Sequence, residues 1–382
     1  MRNISELKKR KLLFLTGTRA DFGKLKPLIQ RAHLNPNLDV SVFVTGMHML
    51  AKYGHTHMEV AEAGVGQVFQ FINQNSSDNM DHVLAKTIVG LSDYVKEVEP
   101  DMLLIHGDRV ETLAGASVGA LNNILVGHIE GGEVSGTVDE LIRHAVTKLS
   151  HIHFVCNEQA KIRLIQMGEP EETIHIVGSP DIDVMNSKDL PELSVVQERY
   201  EFEFDDYGLL IFHPVTTELQ YLESQVSALV EAVLATELNF IVIYPNNDPG
   251  TDVILKAYKK FEGLDRVRLY PSMRFEYFLT LLKNAKFMLG NSSAGIREAP
   301  HFGTPAVNVG SRQNNRVSSD MILNVRPVAT EIVKAISIVR QMERKKVCNF
   351  GVGESAERFC SIISENKFWN TSIQKCFVDR SL

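Results

Sequence analysis

Carboxylates follow two neighbouring apolar runs in the first half of the chain. Asp108 lies in the segment His106-Gly107-Asp108-Arg109, and Glu130 and Glu133 flank a pair of glycines after the next run. Carboxylates held near one another perturb each other's pKa values and suit general acid or base work. We interpret all three as candidates for proton transfer. The alternative is an internal ion pair between Asp108 and the adjacent Arg109.

The helical pattern after Glu133 adds one more carboxylate, Asp139, four residues before Arg143. Residues at this spacing face each other on a helix, so the two side chains form either a structural pair or part of the same acid/base group. Both interpretations stay open for Asp139.

Basic residues accompany a glycine-containing turn at the first strand end, over residues 16 to 24. The turn carries Arg19 and Lys24, and the amides at the start of the following helix are suited to bind an anion. The segment is neither G-x-G-x-x-G nor G-x-x-x-x-G-K-[ST], which disfavours NAD binding and mononucleotide hydrolysis. The alternative is a surface turn with a solvated Arg19.

The second half holds the clearest phosphate-type segment, Gly290-Asn291-Ser292-Ser293, between an apolar run and a helical pattern. Small residues at a helix N-terminus bring amides and hydroxyls onto a diphosphate. Glu298 follows at a distance suited to accepting hydrogen bonds from ribose hydroxyls, and Arg312 after the next run reaches the same phosphates. The alternative for Ser292 is a simple helix cap.

Two further strand ends in the second half carry polar groups. His213 ends a strand before a proline, which fits a proton donor or a phosphate ligand as well as a structural histidine. Asn246 lies in Tyr244-Pro245-Asn246-Asn247-Asp248, where an amide for a ligand and ordinary turn chemistry are both open.

The elements that position these residues alternate between short apolar runs and helical patterns, which is typical of doubly wound parallel sheets. In the helical pattern at 138–149, Val138, Leu141, Ile142, Ala145 and Leu149 predict one apolar stripe. The predicted strands are 11–16, 40–45, 101–105, 124–128, 153–156 and 174–177, then 209–212, 240–244, 267–269, 287–289 and 306–309.

Ser179-Pro180 and the polar stretch 186–192 predict a linker between two Rossmann-like α/β domains. We expect a first domain over 1–185 with the acid/base groups and a second over 186–365 with the anion-binding groups. Residues 366–382 are expected to form a helix that packs back on the first domain. Ligands of such sheets bind beyond the carboxyl ends of the strands, so the pattern predicts a site in a cleft between the domains.

Composition narrows the class of protein. The chain has 382 residues, 44% hydrophobic and 23% charged, with a net charge of −7, which disfavours a nonspecific nucleic-acid binder. Apolar runs are too short for a membrane helix or a signal peptide, so we expect a cytoplasmic protein. Four widely spaced cysteines indicate reduced thiols, and no histidine pair has a metal-binding frame.

Taken together, these segments identify a resemblance. GTRADFGKLKPL, HGDR, HIEGGEVSGT, FHPVTTE, YPNND and GNSSAGIREA resemble the hydrolysing UDP-N-acetylglucosamine 2-epimerases of bacterial sialic acid and capsule synthesis, the meningococcal type in particular, over nearly the whole chain. The non-hydrolysing relatives have segments like GTRPE and HVEAGLR, where this chain has Thr18-Arg19-Ala20-Asp21 and Glu130-Gly131-Gly132-Glu133. The resemblance implies the two-domain glycosyltransferase-B fold, no cofactor and no metal, and a homodimer or homotetramer.

The resemblance also implies an activity and roles for residues. UDP-N-acetylglucosamine and water would give N-acetylmannosamine and UDP by anti elimination to 2-acetamidoglucal and subsequent hydration. Asp108 and Glu130 would be the main acid/base groups, with Glu133, Asp139 and His213 as further candidates, and His48 would line the sugar pocket. The implied UDP-binding residues are Arg19, Arg109, His213, Asn246, Ser292, Ser293, Glu298 and Arg312.

Four alternatives differ in substrate or outcome. The same chemistry on a diacetylbacillosamine nucleotide is one, and a non-hydrolysing epimerase that returns UDP-N-acetylmannosamine is another. A glycosyltransferase of the same fold would need an acceptor. A non-enzymic nucleotide-sugar sensor would have no need of so many carboxylates beside a phosphate site.

Overall fold

The computed structural model describes residues 9–75, 78–135, 138–314 and 319–379. The chain divides into two compact units. The first comprises Met1–Glu133, Leu141–Val184 and Gly351–Leu382, and the second comprises Val134–Glu140 and Met185–Phe350. No helix within the described ranges is long and apolar enough to cross a membrane.

The first unit is built on a parallel sheet with the strand order β3-β2-β1-β4-β5-β6-β7. Nearly every residue of the central strands is buried, which explains their uninterrupted apolar sequence. Its strands are β1 (Arg10–Thr16), β2 (Leu38–Val44), β3 (Gln67–Gln70), β4 (Met102–His106), β5 (Leu125–Ile129), β6 (Ile152–Val155) and β7 (Ile174–Ile176). The helices in this part of the chain are α1 (Arg19–His33), α2 (His57–Glu62), α3 (Met80–Val98), α4 (Val110–Leu121), α5 (Val138–Leu149), α6 (Glu158–Gln166) and α7 (Pro180–Met185).

The second unit repeats this topology with the order β10-β9-β8-β11-β12-β13, again parallel. Its strands are β8 (Tyr207–Ile211), β9 (Asn239–Ile243), β10 (Val267–Tyr270), β11 (Phe287–Gly290), β12 (Ala306–Val309) and β13 (Ile322–Val325). The later helices are α8 (Leu193–Tyr200), α9 (Leu222–Ala235), α10 (Thr251–Tyr258), α11 (Phe275–Asn284), α12 (Glu298–Phe302), α13 (Ala329–Val339) and α14 (Ser355–Ile363). The predicted fold class, two Rossmann-like α/β domains, is confirmed.

Strand order changes direction between β1 and β4 in the first unit and between β8 and β11 in the second. At such switch points the loops that leave neighbouring strands diverge, and the carboxyl edge of the sheet opens a crevice for ligands. The segments with Arg19 and Asp108 leave β1 and β4, and those with His213 and Ser292 leave β8 and β11. The candidate residues after β1, β4, β8 and β11 therefore lie at the switch points of their own units, whereas Glu130 follows β5 and Arg312 follows β12.

The C-terminal segment belongs to the core of the first unit. Phe359 of α14 is fully buried and makes edge-on contacts with Phe14 of β1 and Phe154 of β6. The predicted helix over 366–382 is wrong. A 3-10 turn covers Asn366–Asn370, residues 371–379 form no helix, and residues 380–382 lie outside the described residues. Helix α14 ends at Ile363, and its buried side chains Phe359, Cys360 and Ile363 belong to the core of the first unit.

Helix α5 differs from the prediction in its buried face. Leu141 is 71% exposed and Ala145 is also exposed, whereas Ile142, Arg143 and Val146 are buried. The helix is rotated so that Arg143 points into the unit, where its guanidinium meets two groups of the site. A polar residue with fixed partners thus outweighs the apolar stripe that the sequence suggested.

Candidate functional site

The turn after β1 is held by hydrogen bonds between its own residues. Asp21 accepts hydrogen bonds from the amides of Gly17 and Thr18, both at 3.0 Å. The Thr18 hydroxyl accepts from the Asp21 amide, which completes a capping box at the start of α1. Asp21 thus occupies the amides of Gly17 and Thr18, whereas anion binding by the first amides of α1 stays a prediction.

The two basic residues of this turn have acidic partners. The Arg19 guanidinium forms a two-point contact with Glu59, with Nε 3.0 Å from Oε2 and Nη2 2.5 Å from Oε1. Lys24 is buried in α1, and its Nζ lies 3.2 Å from Oδ2 of Asp181 and 3.9 Å from Oε1 of Glu130. The solvated-arginine alternative is therefore excluded, and Lys24 lies with the carboxylates of the first unit.

His48 is fully buried in a 3-10 turn after β2. Its Nδ1 lies 2.6 Å from the Thr56 hydroxyl and its Nε2 3.1 Å from that of Thr16, which donates to Asp21 at 2.5 Å. Because the Thr16 hydrogen is directed to Asp21, Nε2 donates to Thr16 and Nδ1 accepts from Thr56. Burial lowers the pKa of His48 to about 4, so this chain carries a neutral imidazole.

Arg143 contacts the Asp108 carboxylate and the backbone of Glu130. Its Nη2 contacts Oδ2 of Asp108, and its Nη1 donates to the backbone carbonyl of Glu130 at 2.6 Å. The guanidinium is 4% exposed, so this contact is held in a low-dielectric environment. The structure thus brings Asp108 and the Glu130 backbone to one cation.

Glu130 is buried at the end of β5 with a positive φ of 64°. A non-glycine residue in this left-handed region costs roughly 1 to 3 kcal/mol and is concentrated at functional sites. Its Oε1 accepts from the Ser179 hydroxyl at 2.5 Å, and its Oε2 lies 3.3 Å from Nε2 of His106. The carboxylate is therefore held by a hydrogen bond at Oε1, and His106 approaches Oε2 without a hydrogen bond.

The remaining acidic candidates of this region separate. Glu133 is buried in the loop after β5. Asp139 belongs to the second unit, where its Oδ2 lies 3.2 Å from Nη2 of Arg312. Arg143 therefore contacts Asp108, and Asp139 forms an ion pair with Arg312. The proposed proton-transfer roles of Glu133 and Asp139 stay predictions.

In the second unit Asn291 joins the ends of β8 and β11. Its Oδ1 accepts from the His213 amide at 2.6 Å, and its Nδ2 donates to the His213 carbonyl at 2.8 Å. The backbone amide of Asn246 donates to Nδ1 of His213 at 3.2 Å. In a neutral His213 the ring hydrogen is therefore on Nε2. His213 and Asn246, predicted separately, thus lie together.

Ser292 and Ser293, the serine segment, lie at a 3-10 turn that covers Ser293–Gly295, and α12 begins at Glu298. The Ser292 hydroxyl accepts from the Ala294 amide at 3.3 Å, which is the capping alternative. Glu298 is buried at the first position of α12. Nη1 of Arg312 donates to the Asn291 carbonyl at 3.3 Å, so Arg312 lies beside the serine segment, as the sequence predicted.

Several residues of the first unit escaped sequence reasoning. Ser179 and Asp181 are buried and face Glu130 and Lys24, so the linker interpretation of Ser179-Pro180 is wrong. A serine followed by proline also marks a helix start, and Pro180 indeed begins α7. Glu111, 2% exposed in α4, accepts from Nε of Arg109 at 3.3 Å. Only its position after the strand end signalled a role.

A shared metal site is not among these clusters. Within the described ranges, no three histidine, cysteine, aspartate or glutamate side chains are grouped to hold an ion. The four cysteines are free thiols, two buried and two exposed.

Fold and site define a two-domain α/β protein whose polar side chains gather at the switch points of both sheets. The family model described as UDP-N-acetylglucosamine 2-epimerase matches residues 30–364. The chain therefore belongs to the UDP-N-acetylglucosamine 2-epimerase family.

Similar proteins include two bacterial enzymes. UDP-N-acetylglucosamine 2-epimerase of Neisseria meningitidis serogroup B is 48% identical over 98% of this chain and 100% of its own length. The hydrolysing UDP-N,N'-diacetylbacillosamine 2-epimerase of Legionella pneumophila is 37% identical over 96% of this chain and 99% of its own. The crystal structure of UDP-GlcNAc 2-epimerase from Methanocaldococcus jannaschii, with UDP-GlcNAc and UDP, has the same fold (TM-score 0.78, 22% identity, 93% of this chain and 99% of that one).

Proposed function

We propose that this chain is a hydrolysing 2-epimerase that converts UDP-N-acetylglucosamine and water into N-acetylmannosamine and UDP. Family membership and the 48% identical relative, which is named for this sugar nucleotide, support the substrate. The observation that carries the chemistry is the contact of Arg143 with both the Asp108 carboxylate and the Glu130 backbone. It supports the proposal because it links the Asp108 carboxylate and the backbone of Glu130 to one buried cation.

In the first step one of these carboxylates removes the proton from C2 of the sugar as the C1–O bond to UDP breaks. The electron pair of the C2–H bond forms the C1–C2 double bond of 2-acetamidoglucal, and UDP leaves with its bonding pair. Because the C2 proton is weakly acidic, departure of UDP has to drive the step, and cations near the diphosphate stabilise the charge that develops there.

In the second step water adds to C1 and a proton returns to C2 on the opposite face, which gives the manno configuration. Two groups on different faces of the sugar are therefore needed. Asp108 and Glu130 come from separate strand ends, after β4 and β5, and suit this division of labour.

The second unit would hold UDP. Arg312, the hydroxyls of Ser292 and Ser293, and Nε2 of His213 are the proposed diphosphate ligands, and Glu298 is the proposed ribose ligand. The contact of Arg312 with the Asn291 carbonyl supports this role, because it fixes the guanidinium beside the serine segment. Arg19 and Arg109 are proposed to add charge from the first unit, with Glu59 and Glu111 as their anchors.

Hydrolysing chemistry is favoured over simple epimerisation by the segment after β5, which differs from that of the non-hydrolysing branch, and by the Legionella relative, whose name includes hydrolysis. That relative also keeps the diacetylbacillosamine nucleotide as the second candidate substrate. We further propose a place at the first step of sialic acid biosynthesis, in the cytoplasm, and a homodimeric or homotetrameric assembly.

Release of UDP in the absence of any acceptor is the discriminating assay. The purified protein is incubated with UDP-N-acetylglucosamine, and free UDP is followed with a coupled enzyme assay. A hydrolysing enzyme releases UDP continuously. A non-hydrolysing epimerase or an acceptor-dependent transferase leaves the nucleotide sugar intact as a UDP conjugate, and that result would contradict the proposal. The same assay with the diacetylbacillosamine nucleotide ranks the two substrates.

A further inference from the structure

Lys24 lies between the buried carboxylates of Asp181 and Glu130, and it is closer to Asp181, which was not predicted from the sequence. Its Nζ is 3.2 Å from Oδ2 of Asp181 and 3.9 Å from Oε1 of Glu130. Asp181 is 1% exposed and Lys24 is 9% exposed, so all three charged groups are largely removed from solvent. In such surroundings a displacement of an ammonium by less than 1 Å changes its interaction with a carboxylate appreciably.

Charged and polar groups from four places in the first unit lie around Glu130. Lys24 comes from α1, His106 from the end of β4, and Ser179 and Asp181 from the start of α7. Arg143 of α5 reaches its backbone carbonyl. Among them, Ser179 donates to Oε1 at 2.5 Å, the same oxygen that Lys24 approaches without forming a short contact.

Two effects act on the basicity of the Glu130 carboxylate, and they come from different residues. A hydrogen-bond donor to the ionised form makes a carboxylate a weaker base, and so does a nearby positive charge. Ser179 supplies the first effect directly. Asp181 limits the second, because it attracts the Lys24 ammonium and compensates its charge. Without the charge on Asp181, Lys24 would be able to move onto Glu130.

We infer that Asp181 and Ser179 are positioning residues that set the basicity of Glu130, Asp181 by holding Lys24 away from it and Ser179 by donating to it. The inference rests on the proposed function, in which Glu130 transfers a proton. Neither residue is assigned contact with the substrate, so their removal should alter kcat and its pH dependence rather than the binding of UDP.

The two residues act in opposite directions on the acidic limb of the pH profile of kcat. In Asp181→Asn the freed Lys24 stabilises ionised Glu130, so the limb moves to lower pH by about one unit and kcat falls several-fold as the base weakens. In Ser179→Ala the carboxylate loses a donor, so the limb moves to higher pH by a similar amount. UDP affinity, measured by calorimetry, should stay within about twofold of the wild type in both.

Asp183→Asn is the matched control. Asp183 lies on the same helix, but it accepts hydrogen bonds from the amides of Ser355 and Ala356 at 2.9 and 2.8 Å and so caps α14. This variant should unfold at a lower temperature without moving the limb. The pH profile therefore separates positioning from a loss of stability.

The possible results distinguish a failure of the proposed function from a failure of the inference about Asp181 and Ser179. A wild-type protein that releases no UDP contradicts the proposed function itself. An active wild type whose limb stays in place in folded Asp181→Asn, or moves to higher pH, overturns the inference for Asp181, and an unmoved limb in Ser179→Ala overturns it for Ser179. If Asp181→Asn does not fold, Asp181→Glu decides: the inference requires it to keep the wild-type limb, and a limb moved to lower pH overturns it.

Discussion

Arg143 contacts the two proposed proton-transfer residues in different ways. It contacts the side chain of Asp108 but only the backbone of Glu130, whose carboxylate is fixed by Ser179 and approached by Lys24. The two carboxylates thus experience different surroundings within one cluster. Such asymmetry suits a reaction that removes a proton on one face and returns one on the other.

Loss of either carboxylate should impair turnover. Asp108→Asn and Glu130→Gln keep the shape of the side chains but cannot take up a proton, so we expect kcat to fall about a hundredfold or more, with UDP affinity within a few-fold of the wild type. Steady-state UDP release and calorimetry measure both quantities. Glu357→Gln, which removes an exposed partner of Arg31, is the control and should leave kcat unchanged. Full activity in both site variants would exclude the assignment.

Buried histidines should make the fold sensitive to mild acid. Burial lowers the pKa of His48 to about 4 and that of His128 to about 3, below the ordinary 6.5. Between these values and 6.5 the unfolded chain binds more protons than the native one, so stability is lost as pH falls through this window. Urea unfolding at pH 7, 6 and 5 should show a decreasing midpoint.

The comparison variant for this pH effect is His128→Asn, which retains a donor toward the Gly107 carbonyl that Nε2 of His128 now contacts at 2.8 Å. Its unfolding midpoint should depend less on pH than that of the wild type. His33→Asn removes an exposed histidine and should reproduce the wild-type dependence. Equal slopes for all three proteins would show that burial of His128 has no part in acid sensitivity.

The sequence pointed to residues of the candidate site wherever a strand end marks them, as it does for Asp108, Glu130 and His213, whose roles stay predictions. It missed Asp21 as a cap, Asp181, and the anchor Glu59 of Arg19. These side chains act through partners far away in sequence or through local hydrogen bonds with several geometric solutions. Only the folded backbone selects among such partners.

At the scale of elements, a buried ionic cluster around Glu169 attaches the segment after α14 to the rest of the first unit. Glu169 is fully buried and accepts from Nζ of Lys375 at 2.5 Å, Nζ of Lys148 at 2.8 Å and Nε2 of His153 at 3.1 Å. Burial raises the pKa of Glu169, but these three donors outweigh it and hold the pKa at about 2. The C-terminal segment thus supplies one of the charges that keep Glu169 ionised.

Removing that charge should destabilise the protein. Lys375→Met removes one donor to Glu169, and breaking a buried pair costs about 3 to 5 kcal/mol when it is fully enclosed. Because Lys375 is partly exposed and Lys148 and His153 still donate to Glu169, we expect a loss of about 1 to 2 kcal/mol. Urea unfolding measures it. Lys367→Met, at an exposed pair with Glu365, should change stability by less than about 0.5 kcal/mol, and equal losses in both variants would contradict this role.

Periodicity located most of the strands but missed β3 and β13. β3 begins and ends with glutamine and is mostly exposed, so it has no apolar run to reveal it. β13 has four residues, of which only Ile322 is buried. Both are edge strands, where one neighbour supplies the hydrogen bonds and little side-chain burial is needed. Backbone pairing defines such strands more than sequence pattern does.

At the scale of the whole molecule, two units with one topology carry different chemistry at equivalent positions. The switch point of the first unit collects carboxylates and Lys24, and that of the second collects His213, Asn291 and the serine segment. Repetition of the fold explains why every candidate cluster follows a strand. The sequence revealed this division because polar residues interrupt buried strands abruptly, whereas the cleft between the domains stays a prediction.

The most direct test of the central claim is NMR spectroscopy of the protein with UDP-N-acetylglucosamine in heavy water, without an acceptor. The account predicts free UDP and N-acetylmannosamine that carries deuterium at C2, because elimination removes the original proton and hydration returns one from solvent. UDP-N-acetylmannosamine without free UDP would contradict hydrolysis, and N-acetylmannosamine that retains its C2 proton would contradict the elimination step.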